Sequence, residues 1–146
     1  KRLEKISNYA NEKNIELLLE NNVMKKSSYD FLKKNTTLMA EPEEIEFVMT
    51  KSPKNVNLLL DVAHLKVSSN ILNFNLNNAL SKIDRWIRAY HFSDNDGEND
   101  SNDLINENSW FLPKIKNDAI FYTVEVYNKD ISTLKKQVSL IEKKLK

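Results

Sequence analysis

Four short apolar runs, each separated from the next by a stretch of helical periodicity, constrain the fold of this chain more than any other feature. They predict strands near 14–20, 56–61, 87–92 and 121–127, reading IELLLE from Ile15, VNLLLD from Val56, IRAYHF from Ile87 and FYTVEVY from Phe121. Short runs rich in branched and aromatic side chains are what buried strands require. The intervening segments carry the helix period. Leu3, Ile6 and Ala10 share one face over 2–12, and Pro42, tolerated at a first helical position, opens 42–50 with Ile45, Val48 and Met49. Leu76, Ala79, Leu80 and Ile83 recur at three-to-four spacing over 76–86. After Asp130, a plausible cap, a last helix places Ile131, Leu134, Val138, Ile141 and Leu145 together. Strands recurring roughly every 30–40 residues between helices argue for a parallel sheet covered by helices. No Pro/Gly/Ser-rich linker interrupts the 146 residues, so 1–146 reads as a single α/β domain.

Composition narrows the chemistry. There is no cysteine, which removes disulfides and thiolate metal sites, so any metal must be held by carboxylates and imidazole. A net charge of +1 gives no general attraction to a polyanion, and no apolar run is long enough to span a membrane. Residue 1 is a lysine, and no signal-type segment follows it. The chain is therefore expected to begin where something was removed or left out, with a cytoplasmic setting as the default.

The ends of the strands carry the chemistry. Glu20 closes the first, Asp61 the second, His91 lies at the end of the third and Glu125 late in the fourth. Parallel α/β folds deliver binding groups at the carboxyl ends of their strands, where loops vary around a rigid scaffold. Three carboxylates and one imidazole suit a hard divalent cation, Mn²⁺ or Mg²⁺ ahead of Co²⁺ or Zn²⁺. Three negative charges exceed one dication, so Glu20 and Glu125 could double as proton shuttles. A charge inside the apolar strand around Glu125 costs several kcal/mol unless paired or metal-bound. Taken singly, each residue has a plainer reading: Glu20 and Asp61 as helix caps, His64 and His91 as hydrogen-bonded structural histidines.

Together these residues resemble the xylose-isomerase-like barrel superfamily, which includes ketose 3-epimerases, dehydratases and the endonuclease IV enzymes. Asp61-Val62-Ala63-His64 is similar to its Asp-x-x-His motif, and Leu19-Glu20-Asn21 to the Glu-Asn ending of its fifth strand. His91-Phe92-Ser93-Asp94-Asn95-Asp96-Gly97 resembles its seventh-strand His-x-x-Asp-x-x-Gly segment, and Val124-Glu125-Val126 its eighth-strand glutamate. The likeness implies the C-terminal four βα units of a TIM barrel, a half barrel. A complete one needs about 250 residues and eight strands. It also implies that Glu20, Asp61, His91 and Glu125 bind one divalent metal, and that Glu20 and Glu125 move a proton on a sugar carbon next to a carbonyl. His64 would contact a sugar-like substrate. Asp94 could orient that ligand, and Trp110 could stack on its ring or equally cover the rim.

Departures from the pattern separate rival functions. Asp100-Ser101-Asn102 stands where the endonuclease branch has an Asp-x-His zinc pair, and asparagine is a poor zinc ligand. No Lys or Arg occurs between Arg88 and Lys114, whereas Asp94, Asp96, Glu98, Asp100, Asp103 and Glu107 do. So acidic a rim disfavours nucleic acid and strongly anionic sugar phosphates. The expectation is a metal-dependent sugar or polyol isomerase or epimerase. A phosphodiesterase of the endonuclease IV type and a non-catalytic half barrel are the alternatives. Unpaired edges on a four-stranded parallel sheet make a missing N-terminal half, or self-association, the expected way to complete the barrel.

Overall fold

The computed structural model describes residues 2–146. Four parallel strands, β1 (Leu17–Glu20), β2 (Val56–Asp61), β3 (Ile87–Phe92) and β4 (Phe121–Val124), lie side by side in sequence order. Six helices connect or flank them: α1 (Arg2–Glu12), α2 (Lys26–Leu32), α3 (Pro42–Lys51), α4 (Val62–Leu72), α5 (Leu76–Ile83) and α6 (Ile131–Leu145). No described helix is long and apolar enough to cross a membrane.

The period of two along each strand sorts the side chains onto two unlike faces. Val56, Leu58 and Leu60 of β2 and Tyr90 and Phe92 of β3 enter one core with Ile45 and Met49 of α3, Leu65 of α4 and Ile83 of α5. Leu17, Leu19, Tyr122 and Val124 of the edge strands pack on the same side. Tyr122, Tyr90, Phe92 and Phe111 continue this layer as a stacked aromatic row, with neighbouring centroids 5.2–6.4 Å apart. The alternate residues Leu18, Asn57, Leu59 and Thr123 face away from the helices, and Phe121 among them is 62% exposed. This is half a barrel seen from inside: among the described residues, one face carries the helices and the other carries none.

Several boundaries differ from the expected ones. The first strand begins at Leu17, because Asn14 takes a left-handed φ of 55° and the Ile15 N–H still donates to Ala10, finishing α1. The fourth stops at Val124, although the Glu125 N–H adds one more bond to Phe92 O. The helix expected over 76–86 is α-helical only to Ile83; Asp84–Trp86 is a 3₁₀ turn. Helix α4 was not legible, because β2 runs into it without a loop. Asp61 ends the strand and caps the helix, its Oδ1 accepting from His64 N at 2.8 Å. Helix α2, with no side-chain cap and no buried residue, gives no periodic signal.

Candidate metal centre

The register that pairs Asp61 with His91 also sets Glu20 against Leu59 and His91 against Thr123, two residues before Glu125. All four sit on the uncovered face at the carboxyl ends of their strands. One ligand atom from each of Glu20, Asp61, His91 and Glu125 lies within 4.8 Å of all the others. His91 Nδ1 stands 2.9 Å from Glu125 Oε2 and 3.3 Å from Glu20 Oε1, but neither contact has hydrogen-bond geometry.

Asp61 shows the tension in the cluster. Its residue is wholly buried; Oδ1 caps α4, while Oδ2 has no hydrogen-bond partner. Burial, with Asp100 and Glu20 nearby, outweighs the favourable charge of His64 and pushes the carboxyl up to about 6. An orphaned, buried carboxylate oxygen beside other carboxylates and an unpartnered imidazole nitrogen is the arrangement a cation would satisfy. The donor set fits a hard divalent ion.

The surrounding residues hold these four in place. Asn21, buried just beyond β1, uses its side-chain amide as a backbone mimic. It donates to Asp61 O at 3.0 Å and accepts from Asp61 N at 2.7 Å. The Asn21 carbonyl meets His64 Nδ1 at 2.8 Å, turning Nε2 towards Asp100 Oδ2 at 3.2 Å and Asp61 Oδ2 at 3.8 Å. Burial opposes charge on His64, but Asp100, Asp61 and the Asn21 carbonyl together push it up to about 9. The Tyr127 hydroxyl donates to Glu125 Oε1 at 2.7 Å, and Asn102 Nδ2 donates to Glu125 O at 3.0 Å. Asn21, Asp100, Asn102 and Tyr127 were not singled out from sequence as parts of this centre. Their roles depend on contacts across the chain; the Glu20-Asn21 pair and the Asp100-Ser101-Asn102 segment left local traces, Tyr127 none.

Asp94 and Trp110 stand in other surroundings. Asp94 is nearly buried; Lys66 Nζ and Ser109 Oγ each reach one of its oxygens at 2.6 Å, tying the long β3–β4 loop to α4. Burial alone would raise its pKa, but these bonds hold the carboxyl below the usual carboxylate range. Trp110 packs edge-on against Phe111, and its buried indole Nε1 lacks a partner.

A four-stranded parallel sheet with one naked face and a cluster of acidic and imidazole donors at its mouth defines half of a (β/α)₈ barrel. Two solved structures have the same fold. A D-tagatose 3-epimerase-like protein superposes with a TM-score of 0.72 at 22% identity, over 98% of this chain and 51% of its own length. A candidate xylose isomerase from Rhodospirillum rubrum gives 0.62 at 15% identity, over 94% of this chain and 49% of its own. The chain therefore spans about half the length of each, and its fold is half of a TIM barrel. No family model and no curated protein matches the sequence.

Proposed function

We propose that the strand-end cluster holds one divalent cation, Mn²⁺ or Mg²⁺ first and Co²⁺ or Zn²⁺ as alternatives. On this reading the protein is a sugar or polyol isomerase or epimerase working by proton transfer through an enediolate. The observation that carries it is Asp61 Oδ2, buried without a partner inside a set of four donors from four strands. The ion would supply Lewis acidity towards neighbouring substrate oxygens. Glu20 and Glu125, from the two outer strands, flank the Asp61–His91 pair. Each can take or return a proton on the carbon beside a carbonyl. The Tyr127 hydroxyl, donating to Oε1, orients the Glu125 carboxylate. His64, its ring oriented by the Asn21 carbonyl, is the substrate contact. Asp94 acts at one remove, holding the loop above the mouth, and Trp110 is the aromatic offered to a sugar ring. The fold shared with an epimerase-like protein and a candidate xylose isomerase makes a sugar-like small molecule the proposed substrate class.

The test has two arms. Calorimetric and electron paramagnetic titration should find one Mn²⁺ per chain, with a nitrogen coupling that disappears in His91→Ala. The Mn²⁺ protein should then exchange deuterium from D₂O into the carbon next to the carbonyl of a ketohexose, and Glu125→Gln should abolish that exchange. Absence of Mn²⁺ binding refutes the centre. Binding without exchange across a panel of ketoses refutes the reaction, and two or more ions per chain would favour the phosphodiesterase alternative.

The same reading treats 1–146 as one partial-barrel domain whose edges, β1 and β4, are closed by four further βα units. A preceding stretch of the polypeptide or a second copy could supply them. Its support is the half-length match and the uncovered face bearing Phe121. A stable, non-associating monomer by size-exclusion with light scattering would count against closure by a second copy.

A further inference from the structure

We propose that residues 25–34, which carry α2, form a hinged lid over the His64 flank of the strand-end mouth. The lid closes by drawing Lys25 and Lys26 onto Glu98 and Asp100 of the β3–β4 loop. This motion needs no cation in the centre.

The segment is tied at both ends and loose between them. Before it, Met24 is buried, and its N–H donates to Ser68 Oγ at 3.0 Å. After it, Asn35 Nδ2 donates to Glu41 Oε1 at 2.8 Å, and Thr37 Oγ1 reaches Met24 Sδ at 3.6 Å. Asn22 completes the clasp, its N–H donating to Met39 O at 3.1 Å and its Nδ2 to Leu38 O at 3.0 Å. A loop whose ends meet can turn about them as one body. Within it, α2 buries no residue and has no side-chain cap, and it ends at Lys33 in a left-handed turn with φ of 53°. Phe31 is 85% exposed. So few buried contacts mark a segment that opens at low cost.

Two clefts of about 300 Å³ each lie between this segment and its neighbours, and Lys26 and Glu98 line both. Asp30 and Asn70 border the first; Lys25, Val67 and Asp100 border the second. Asp100 Oδ2 lies 3.2 Å from His64 Nε2, so the second cleft opens beside the mouth. Its walls carry opposite charge, Lys25 and Lys26 on the lid and Glu98 and Asp100 on the loop, and opposite charges draw the walls together. The Asp30 hydrogen bond, and more weakly Glu98, already raise the pKa of Lys26. The Lys26–Asp30 pair, 2.6 Å long, is solvent-exposed and is exchanged for Glu98 at little cost. The loop wall is the fixed one. Gly97 O accepts from Asn70 Nδ2 at 3.0 Å, and the Glu98 N–H donates to Asp96 Oδ1 at 2.8 Å.

The chain has no cysteine and two histidines, His64 and His91, so introduced thiols and imidazole labelling both report on single positions. In the full chain, Lys26→Cys with Glu98→Cys should form a disulfide on mild oxidation, because closure brings the two within bonding reach. In EDTA at pH 8.5, diethyl pyrocarbonate should modify His64 at least tenfold more slowly in the oxidised variant than after reduction. His91, reached from the uncovered face, should keep its rate. In the wild type, hydrogen exchange should release the amides of 27–32 at least tenfold faster than those of α4. Ser27→Cys with Asn99→Cys, across the same cleft, is the second pair should the first not fold. Failure of a folded pair to crosslink overturns the lid. So does an equal His64 rate in the oxidised and reduced forms, a slowing of both histidines together, or exchange in 27–32 as slow as in α4. Each of these results leaves the metal centre standing, since cation binding is read separately by Mn²⁺ titration.

Discussion

Replacing Asp61 with asparagine should make the cation-free protein more stable at neutral pH while abolishing its response to divalent ions. In the folded chain the carboxyl is pushed from 3.8 to about 6, mainly by burial, with Asp100 and Glu20 adding to it. About 2 pH units at roughly 1.4 kcal/mol each make an ionised Asp61 cost the fold on the order of 3 kcal/mol. The sign follows from proton binding. The folded state holds this proton more tightly than the unfolded one, so stability declines as pH rises from about 3.8 to 6 and is level above. Asparagine has no charge to desolvate, and its side-chain oxygen can still accept from His64 N to cap α4.

Thermal melts in EDTA should therefore show Asp61→Asn unfolding about 10 °C above the wild type at pH 7.5, at about 3 °C per kcal/mol for a chain of this length. The gap should close below pH 4. Mn²⁺ should raise the wild-type midpoint, by about 2.7 kcal/mol of stability at a hundredfold excess over its dissociation constant. The variant should show little of that gain. The reasoning fails if the variant melts at or below the wild-type temperature at pH 7.5, or if the difference is the same at pH 4. In either case Asp61 is not a carboxylate under electrostatic strain.

Asp94→Ala should destabilise by about 3 kcal/mol, because Lys66 and Ser109 lose their buried acceptor; limited proteolysis should cut first within 94–109. In the wild type this carboxyl titrates below its ordinary value, so its stabilisation is present above about pH 4 and lost as pH falls through the folded pKa, seen as acid-induced cleavage of the same loop. Phe92→Ala removes the centre of the aromatic row and should cost about 3–5 kcal/mol in denaturant unfolding. Gly97 adopts φ +85°, and an added Cβ would stand 2.2 Å from Asn70 Nδ2, so Gly97→Ala should cost about 1–2 kcal/mol by the same measurement.

The strands and the helices α1, α3, α5 and α6 were legible because each repeats its apolar side chains at the period its geometry demands. Glu20, Asp61, His91 and Glu125 could be singled out for a related reason: a charged or imidazole side chain at the end of an apolar run is a local anomaly. What stayed hidden was either continuous or distant. Helix α4 follows Asp61 with no turn residue to announce it. Asn102, with its left-handed φ of 50°, and Tyr127 reach Glu125 only once the loop has folded back. Asp94 looked like a ligand-orienting acid from its place after His91; Lys66, its partner, lies 28 residues earlier on a helix the sequence did not reveal.

The two inner strands and the two outer ones contribute unequally to the mouth. Asp61 is fixed twice, by β2 pairing on both sides and by the helix it caps, and Asn21 clamps its backbone. Only 1% of its side chain is exposed, so it has nowhere to swing. Glu20 and Glu125 sit at the ends of the edge strands, 41% and 29% exposed, each with one open flank. Like-charge repulsion can push these two outward; it cannot move Asp61. The half barrel thus carries a rigid pair of donors, Asp61 and His91, between two adjustable carboxylates. Under the proposed function that division suits proton transfer, in which the outer groups must change partners while the inner ones must not. It also means that whatever covers the two edges acts on Glu20 and Glu125 before it acts on Asp61 and His91.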